Sequence, residues 1–473
     1  MNSLAHKQRA TRRVLALGAV VVFWTGCAVG PNYRKPSVNV PSAYRGADSA
    51  EALPAESTSL GDQKWFEVFQ DEQLQQIIKT ALRQNYDLRI AAARILQAEA
   101  QLGITRADQF PTVDAGADVS SQRTAQSRFA AFNRTQGGLS LSAAWELDFW
   151  GKFRRATEAA RASLLAGEWA RQAVLSTLVA DLASSYFQLR ELDLELEISR
   201  RTLASRQESL RLIQDLADQG LGTMLDVRQA EQLVFTAGAR IPDIERQIEQ
   251  EENFISILVG NNPGAVPRGR MLTEQPHAPV VPAGLPSSLL ERRPDIRVAE
   301  QQLIAFNAQI GVAKAAYFPQ ISLTGAGGFQ SSALTSLFSG PAGLWNLIGG
   351  LTQPIFAGGR IRSGVRLAEA QQQEVLLVYQ QTIQQAFREV SDALVAYRKN
   401  QEFRQQQEQL ARSAQDASQL ADTRYRAGLT SYLEVLTNET NYFSAELGLA
   451  QAREGEVEAL VQLYRALGGG WQQ

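Results

Sequence analysis

Leucine recurs at every seventh position through the stretch that follows Lys152, which is the most regular hydrophobic pattern in the chain. The series consists of Leu175, Leu182, Leu189, Leu196, Leu203 and Leu210. Apolar residues at a period of seven predict a helix that packs against other helices, as in a coiled coil. Proline is absent from 112–241 and from 355–473. Because proline interrupts helices, both spans are predicted to hold long helices.

Glycines indicate where the long helices reverse direction. A helix from Lys152 to Gln219 would extend about 100 Å at about 1.5 Å per residue, which exceeds any globular core. Gly220 suits the left-handed residue that ends a helix, so we predict a turn there and a return helix over 222–260. Another helix is expected to begin near Asp71 and to end before Phe110.

Between the helices, apolar and polar residues alternate with the two-residue period of a strand. The stretch "TVDAGADVS" begins at Thr112, and "LSLSAAWEL" shows the same alternation shortly after it. Each has about the nine to eleven residues of a strand that crosses a membrane in a β-barrel. The stretches "QISLTGAGGF" and "LWNLIGGLTQPIF" follow later in the chain. We therefore predict two strand pairs, at about 112–148 and about 320–356.

An ungapped shift of 208 residues superposes one half of the sequence on the other. The shift places Phe110-Pro111 on Phe318-Pro319, Gly151 on Gly359 and Gly220 on Gly428. Such a fixed period predicts an internal two-fold repeat. The first copy is assigned to 71–262 and the second to 288–470, each with a helix, a strand pair, a long helix and a return helix. A Pro-rich linker, 263–287, joins the copies, and 471–473 form the C-terminal end.

Two strand pairs give four strands in each chain, and this number has a consequence. Four strands cannot close a barrel, and lipid does not tolerate an open sheet edge. A membrane-spanning sheet would therefore have to be completed by several chains that share one barrel.

The N-terminus has the pattern of a signal peptide, assigned to 1–26. Four basic residues in the first thirteen precede the apolar stretch Val14–Trp24, which is too short for a stable membrane anchor. Cys27 follows and is the only cysteine, so it cannot form an internal disulfide. The letters "TGC" resemble a bacterial lipobox. That resemblance implies diacylglycerol on the Cys27 thiol and an acyl chain on its amine, at the start of an extended segment, 27–70.

Composition and motifs argue against several classes of function. The 47 basic and 49 acidic residues are nearly balanced, which gives no nucleic-acid signature. The sequence has no HExxH, P-loop or GxSxG motif and no cysteine pair. Apart from His6 in the signal segment, His277 is the only histidine. We therefore expect no catalysis, no metal and no cofactor beyond the covalent lipid on Cys27.

Two interpretations of the residue patterns remain open at this point. Alternation over nine residues is common by chance, and heptad leucines are typical of a coiled-coil scaffold lipoprotein that never crosses the membrane. The shared register and the aromatic residues Phe149, Trp150 and Phe318 at the strand-helix junctions favour a membrane barrel instead.

Several ordered motifs follow Cys27 along the chain, among them "CAVGPNYRKP", "LLERRPDIRVAEQQL", "QPIFAGGRIR" and "YRAGLTSYLEVL". Together they resemble the TolC-like outer membrane factors, in the lipoprotein branch that includes OprM and NodT, and the resemblance covers almost everything after Cys27. It implies an α+β membrane protein that forms a homotrimer, with four strands from each chain in an outer-membrane β-barrel. An α-helical coiled-coil barrel would continue it through the periplasm.

The same resemblance implies the partners and the function. A periplasmic adaptor, or membrane fusion protein, would dock the duct to an inner-membrane pump, usually of the proton-driven RND type. Drugs or other small molecules would then leave the cell through a passive duct. A duct that serves a protein-secretion exporter is the alternative within this class.

A periplasmic gate is carried over by position. The helix turns at Gly220 and Gly428 would close the tunnel, with Leu433 at an apolar constriction and Glu434 at an acidic position. Thr437 stands where the family often has Asp, which removes a carboxylate. Asp226 is the candidate for a hydrogen bond that locks neighbouring hairpins, and Tyr425 is its aromatic partner. As an alternative, Glu434 is simply a solvated charge on a helix face.

Overall fold

The computed structural model describes residues 28–45, 59–127, 130–275 and 286–472. Cys27, the signal segment and His277 therefore lie outside the described residues. The helices are α1 (Trp65–Val68), α2 (Glu72–Gln84), α3 (Tyr86–Ala107), α4 (Lys152–Asp218), α5 (Met224–Val259), α6 (Pro286–Arg292), α7 (Pro294–Ala315), α8 (Arg360–Arg426) and α9 (Tyr432–Ala466). Within these ranges, no helix combines the length and the apolar character needed to cross a bilayer.

Four strands accompany the helices, as the sequence predicted. They are β1 (Thr112–Ser127), β2 (Ala130–Glu146), β3 (Gln320–Ser331) and β4 (Gly343–Thr352). They form one antiparallel sheet in the order β1-β2-β3-β4, and β2 pairs with β3 so that Leu141 lies opposite Gly327. The mostly helical α+β composition with four strands is thereby confirmed.

Two of the strands are longer than the nine to eleven residues expected from the alternation. β1 has 16 residues and β2 has 17, because their ladder continues through polar pairs such as Gln122 with Arg134. Backbone hydrogen bonds hold an antiparallel pair together whatever its side chains. The paired strands can therefore extend beyond the residues in which apolar and polar side chains alternate.

The long helices begin and end near the predicted residues. α4 and α8 each have 67 residues, and both end before a glycine with positive φ. The heptad leucines explain why α4 packs, since Leu175, Leu182 and Leu189 are fully buried.

The helix expected between Asp71 and Phe110 is broken at Asn85. The Asn85 side chain accepts a hydrogen bond from the Leu88 N–H (3.0 Å) and donates one to the Leu258 carbonyl (2.8 Å). These bonds satisfy the backbone at the break and start α3 in a new direction. In the second half, the corresponding helix is broken at Arg293, where the following Pro294 disfavours helical backbone.

By spatial proximity the described chain divides into two compact units. The strand unit comprises the segment up to Ser37, Arg94–Glu168 and Val298–Gln380, and it holds the whole sheet. The helical unit comprises Val38–Ala93, Trp169–Arg297 and Gln381–Gln473.

Inside the helical unit, the end of the segment 27–70, from Leu60 onwards, departs from the extended conformation expected for it. It contains a 3-10 turn, Leu60–Asp62, and the short helix α1. Trp65 is buried there, and the Phe69 ring packs edge-on against Tyr464 at a centroid distance of 5.7 Å. Burial of these aromatic rings explains why the segment folds back on the helices.

At the strand-helix junctions of the strand unit, the expected aromatic residues meet. The Trp150 ring stacks on Phe318 with centroids 4.6 Å apart, and the Trp150 indole N–H donates to the Pro319 carbonyl (2.8 Å). Val29 is held here too, since its N–H donates to the Trp150 carbonyl (2.9 Å).

Candidate functional site

Two helical hairpins of the helical unit end in turns at Gly220 and Gly428. Their φ angles are 74° and 70°, in the left-handed region that strains any other residue. The turns close with backbone bonds from Leu221 to the Leu216 carbonyl and from Leu429 to the Arg424 carbonyl, both 2.9 Å. A left-handed glycine, followed by a residue whose N–H bonds to the carbonyl five residues earlier, is a common way for an α-helix to end.

Beneath the turns, the two hairpins share one hydrophobic cluster, which we term the turn cluster. Its buried members are Ile213, Val227, Ala230, Ala421, Tyr432 and Val435. The partly buried Leu210, Ala217, Tyr425 and Leu436 pack against it. Since both hairpins contribute, their turns are fixed relative to each other by apolar burial.

Tyr425 lies at the edge of the turn cluster and faces both hairpins. Its ring centroid is 5.5 Å from that of Tyr432, at an angle of 60°. Burial raises the pKa of the Tyr425 phenol, and the negative charge of Asp226 raises it further. Tyr425 therefore stays a neutral hydroxyl that can donate a hydrogen bond at neutral pH.

The Asp226 side chain forms hydrogen bonds with Thr223 at the start of α5. Its Oδ2 accepts from the Thr223 N–H (3.1 Å) and hydroxyl (2.7 Å), while the Thr223 Oγ1 accepts from the Asp226 N–H (3.2 Å). This reciprocal arrangement is a capping box, which stabilises the helix start. The second carboxylate oxygen, Oδ1, takes no part in these bonds and remains able to accept from a neighbouring group.

Glu434 has a different environment in the corresponding position of the second hairpin. Ser431 stands where Thr223 does, yet its side chain makes no cap. Instead, the Glu434 carboxylate accepts from the Thr430 hydroxyl and lies 3.4 Å from the Arg424 guanidinium. The pair is largely exposed, so its contribution to stability is small. A cation from its own chain therefore accompanies the proposed acidic position.

Leu433 and Thr437 lie one helical turn apart, on the first turns of α9. Leu433 is 55% exposed, and the Thr437 hydroxyl donates to the Leu433 carbonyl (2.8 Å). Leu221, Met224, Leu225 and Leu429 are also exposed beside the two turns. Apolar side chains grouped in this way at a surface indicate an interaction site or a constriction.

The structure thus brings most of the predicted gate residues to one pair of hairpin ends. Leu433, Glu434 and Thr437 share the start of α9, where the Tyr425 ring packs against Tyr432, and the charge of Asp226 acts on the Tyr425 phenol. Sequence reasoning assigned no role to Arg424, Thr430 or Thr223. Only Thr223 had a signal, since Thr-x-x-Asp before an apolar run is a capping-box pattern.

A second polar cluster, the acidic groove, lies among helices α4, α5 and α9 in the helical unit. It lines a cavity of about 440 Å³ that includes Glu191, Glu195, Arg240, Gln451, Glu454 and Glu458. Arg240 pairs with Glu195 at 2.7 Å, and the Gln451 amide donates to the same carboxylate at 2.9 Å. Glu191 lies beside Glu195 and Glu454 in this groove, and Glu454 lies beside Glu458, so acidic side chains are grouped where water is partly excluded.

Burial raises the pKa of two carboxyl groups in the acidic groove. It raises the pKa of Glu191 to about 8, helped by the hydrogen bond and negative charge of Glu195. It also raises the pKa of Glu454 to about 7, with Glu458 contributing. Among the residues that the structure describes, no group of His, Cys, Asp and Glu is suited to hold a metal ion.

The comparisons with known proteins assign the class. The model of the outer membrane efflux protein family matches residues 77–261 and again 285–469, and the chain belongs to this family. Over 470 residues it is 35% identical to the probable efflux pump outer membrane protein TtgC of Pseudomonas putida, covering 98% of this chain and 96% of that one.

Two further comparisons agree. The cation efflux system protein CusC of Escherichia coli is 36% identical over 96% of this chain and 98% of its own length. The structure of the outer-membrane channel OprN superposes with a TM-score of 0.87 at 33% identity, over 94% of this chain and all of that one.

Together these findings confirm the resemblance to the TolC-like outer membrane factors. The protein is the outer-membrane component of an efflux pump, located in the bacterial outer membrane. It is a passive channel and not an enzyme, so the interpretation as a scaffold lipoprotein is set aside.

Proposed function

We propose that three copies of this chain assemble into one duct, with a twelve-stranded outer-membrane barrel and a periplasmic coiled-coil tunnel. The observation that carries this proposal is the four-stranded sheet, in which β1 and β4 are the outermost strands. Their outer edges leave backbone groups that lipid cannot satisfy, so they require strands from other copies. The heptad leucines support a matching assembly of the long helices.

For the partners, we propose a periplasmic adaptor and an inner-membrane pump of the RND type. The relatives are themselves outer-membrane components of efflux pumps, which supports this arrangement. The cargo is proposed to be small molecules. Relatives with similar identity are described as antibiotic, toluene and cation efflux proteins, so the duct itself does not choose among them.

The hairpin ends are proposed to be the periplasmic gate. Leu433, together with the exposed leucines of both turns, would narrow the opening, and Glu434 would place negative charge beside it. The Arg424 guanidinium at 3.4 Å offsets that charge within each chain. We therefore expect a constriction that is mainly apolar, with Tyr425 and the free Oδ1 of Asp226 available for bonds between hairpins.

Lipid attachment at Cys27 is proposed as well. The residues that follow it are anchored, because the Arg155 guanidinium donates to the Val29 carbonyl (3.3 Å) and to the Asn32 Oδ1 (2.7 Å). Cys27 stands two residues before Val29, whose N–H donates to the Trp150 carbonyl. An acyl group on Cys27 would thus be attached close in sequence to a residue that contacts Trp150, and aromatic rings favour a membrane surface.

An export assay tests the proposed function. Deletion of the gene in its own host is expected to increase accumulation of a fluorescent pump substrate, and the intact gene should restore export. Affinity purification after crosslinking should recover the adaptor and an RND pump. Recovery of a protein-secretion exporter, with unchanged dye accumulation, would favour the alternative duct.

A further inference from the structure

A cavity of about 350 Å³ lies where the strands of the strand unit meet their helices. We term it the junction cavity. The aromatic stack of Trp150 and Phe318 forms one side, and Pro354, Arg360 and Ile361 at the start of α8 form another. Two carboxylates line the cavity as well, and each has its own cation, since Glu146 pairs with Lys152 (3.0 Å) and Asp148 with Arg154 (3.3 Å). The cavity therefore combines an apolar wall with a cationic rim at the start of α8, the usual mixture of a site for an amphiphilic ligand.

At the start of α8, positive charge is not balanced by a carboxylate of the same turn. The first turn of α8 contains no acidic residue, although it carries Arg360 and Arg362. Within the described part of the chain, neither arginine has an acidic partner. Two guanidinium groups at the positive end of a helix repel its dipole, so an external anion would stabilise this arrangement.

In the first copy of the repeat, a carboxylate of the chain itself binds at the start of the corresponding helix, α4. Asp148 accepts from the N–H groups of Phe153 (3.1 Å) and Arg154 (2.9 Å) and pairs with the Arg154 side chain at 3.3 Å. A shift of 208 residues places Ile361 and Arg362 on these two residues and Phe356 on Asp148. The second copy thus keeps the cations and replaces the carboxylate with an aromatic ring.

That ring belongs to an exposed apolar pair. Ile355 and Phe356 are 92% and 91% exposed, more than any other large apolar side chain in the described ranges. Three residues separate this pair from Arg360 at the start of α8. A phosphate with attached acyl chains matches both features at once, because guanidinium groups bind phosphate and apolar side chains contact the chains.

We propose that the junction cavity and its rim bind a phospholipid. Its phosphate lies at the start of α8 between Arg360 and Arg362, in the role that the Asp148 carboxylate has in the first copy. Its acyl chains lie along Ile355 and Phe356. This proposal rests on the outer-membrane location of the family and uses neither the gate nor the lipid on Cys27. It also requires that Ile355 and Phe356 stay uncovered when copies of the chain assemble.

Native mass spectrometry on the full-length protein tests the proposal. The measurement uses the Cys27→Ala background, so that every detected lipid is non-covalent, and phosphatidylethanolamine is titrated onto delipidated protein. Replacing both Arg360 and Arg362 with Gln should weaken binding at least about tenfold, the effect of losing charge-assisted hydrogen bonds. Replacing Arg388 and Arg412 with Gln removes the same charge from parts of α8 that do not line the cavity and should leave binding unchanged.

The substitution Phe356→Asp separates lipid binding from folding. It supplies the carboxylate that the first copy has, so phospholipid should be lost while the thermal midpoint of the assembly stays equal or rises. Equal binding by the Arg360/Arg362 and control variants would overturn the proposal. Stabilisation by inorganic phosphate alone, as large as that by the lipid, would also overturn it. So would dissociation of the assembly by Phe356→Asp with lipid retained, because the apolar pair would then be a contact between copies.

Discussion

Gly220 and Gly103 are two glycines of one chain for which the same substitution should have opposite effects. Gly220 has a φ of 74°, so Gly220→Ala is expected to destabilise the protein by about 1 kcal/mol. Gly103 lies within α3 and has open space where a methyl group would be placed. Gly103→Ala should stabilise by about 0.5–1 kcal/mol, since alanine is the better helix former. The thermal midpoint measures both, and equal shifts would contradict the assignment of the turn.

At the proposed gate, the combined change Leu433→Ala and Glu434→Ala should widen the opening. Single-channel conductance in planar bilayers is expected to rise, and cells should become leaky to large antibiotics, because the exposed apolar side chain is removed. The pair Leu420→Ala and Asp416→Ala takes the same kinds of side chain from an exposed part of α8. That control should leave conductance unchanged. A conductance equal to that of the wild type in the first variant would remove Leu433 from the gate.

Cys27 is expected to be the only site of lipid attachment. Cys27→Ala should abolish incorporation of labelled palmitate, because no other thiol exists in the chain. Ala28→Ser, at the next residue, keeps the thiol and should still be labelled. Label in the Cys27→Ala protein would refute the lipobox.

For single residues, the sequence predicted those that belong to a recognisable motif. It did not predict residues whose role depends on how side chains are oriented in the folded turn. Glu434 could be assigned from a motif. Its partner Arg424 could not, because the choice between capping and pairing depends on how Ser431 and Thr430 are oriented in the turn. Glu434 corresponds to Asp226 in the repeat, yet the two carboxylates make different bonds.

At the scale of helices and strands, the acidic groove makes stability depend on pH. The pKa of Glu191 is raised from 4.5 to about 8, so the native state holds a proton that the unfolded state releases in this range. The contribution of the Glu191 proton to the free energy of unfolding is fully present below pH 4.5. Between pH 4.5 and about 8 the free energy of unfolding falls as the pH rises, by at most about 1.4 kcal/mol per pH unit. The charges that face Glu191 are Glu195 on α4, Arg240 on α5 and Glu454 on α9.

Glu191→Gln tests this dependence. The amide needs no proton, so the thermal midpoint between pH 5 and pH 8 should fall less steeply than in the wild type. Glu197→Gln, on the exposed side of α4, should preserve the wild-type slope. Parallel slopes for the wild type and Glu191→Gln would contradict a protonated Glu191 in the native state.

Helix lengths could be predicted more closely than helix breaks. The ends of α4 follow from the absence of proline, the leucine period and Gly220, which are all local. The break at Asn85 depends on a hydrogen bond to Leu258, 173 residues away. The strands exceed their prediction for a related reason, since a ladder between backbones leaves no mark on side-chain alternation.

For the whole molecule, the sequence predicted the number of strands but not their order. The pairing of β2 with β3 links the two copies of the repeat into one sheet. It depends on a junction at which Trp150 and Phe318 stack, and the two residues are distant in sequence. The junction is built twice with different chemistry, since a carboxylate caps α4 while an exposed phenylalanine stands before α8.

The open edges of β1 and β4 lead to a prediction about the number of copies. An antiparallel sheet of four strands becomes closed when identical sheets join edge to edge, and a trimer supplies twelve strands, an even number typical of such barrels. Cells that express a tagged and an untagged copy together should yield four heat-modifiable species, containing zero, one, two or three tags. Native gel electrophoresis separates them by mass. Three species would indicate a dimer and five a tetramer, so the number of bands measures the assembly without reference to any relative.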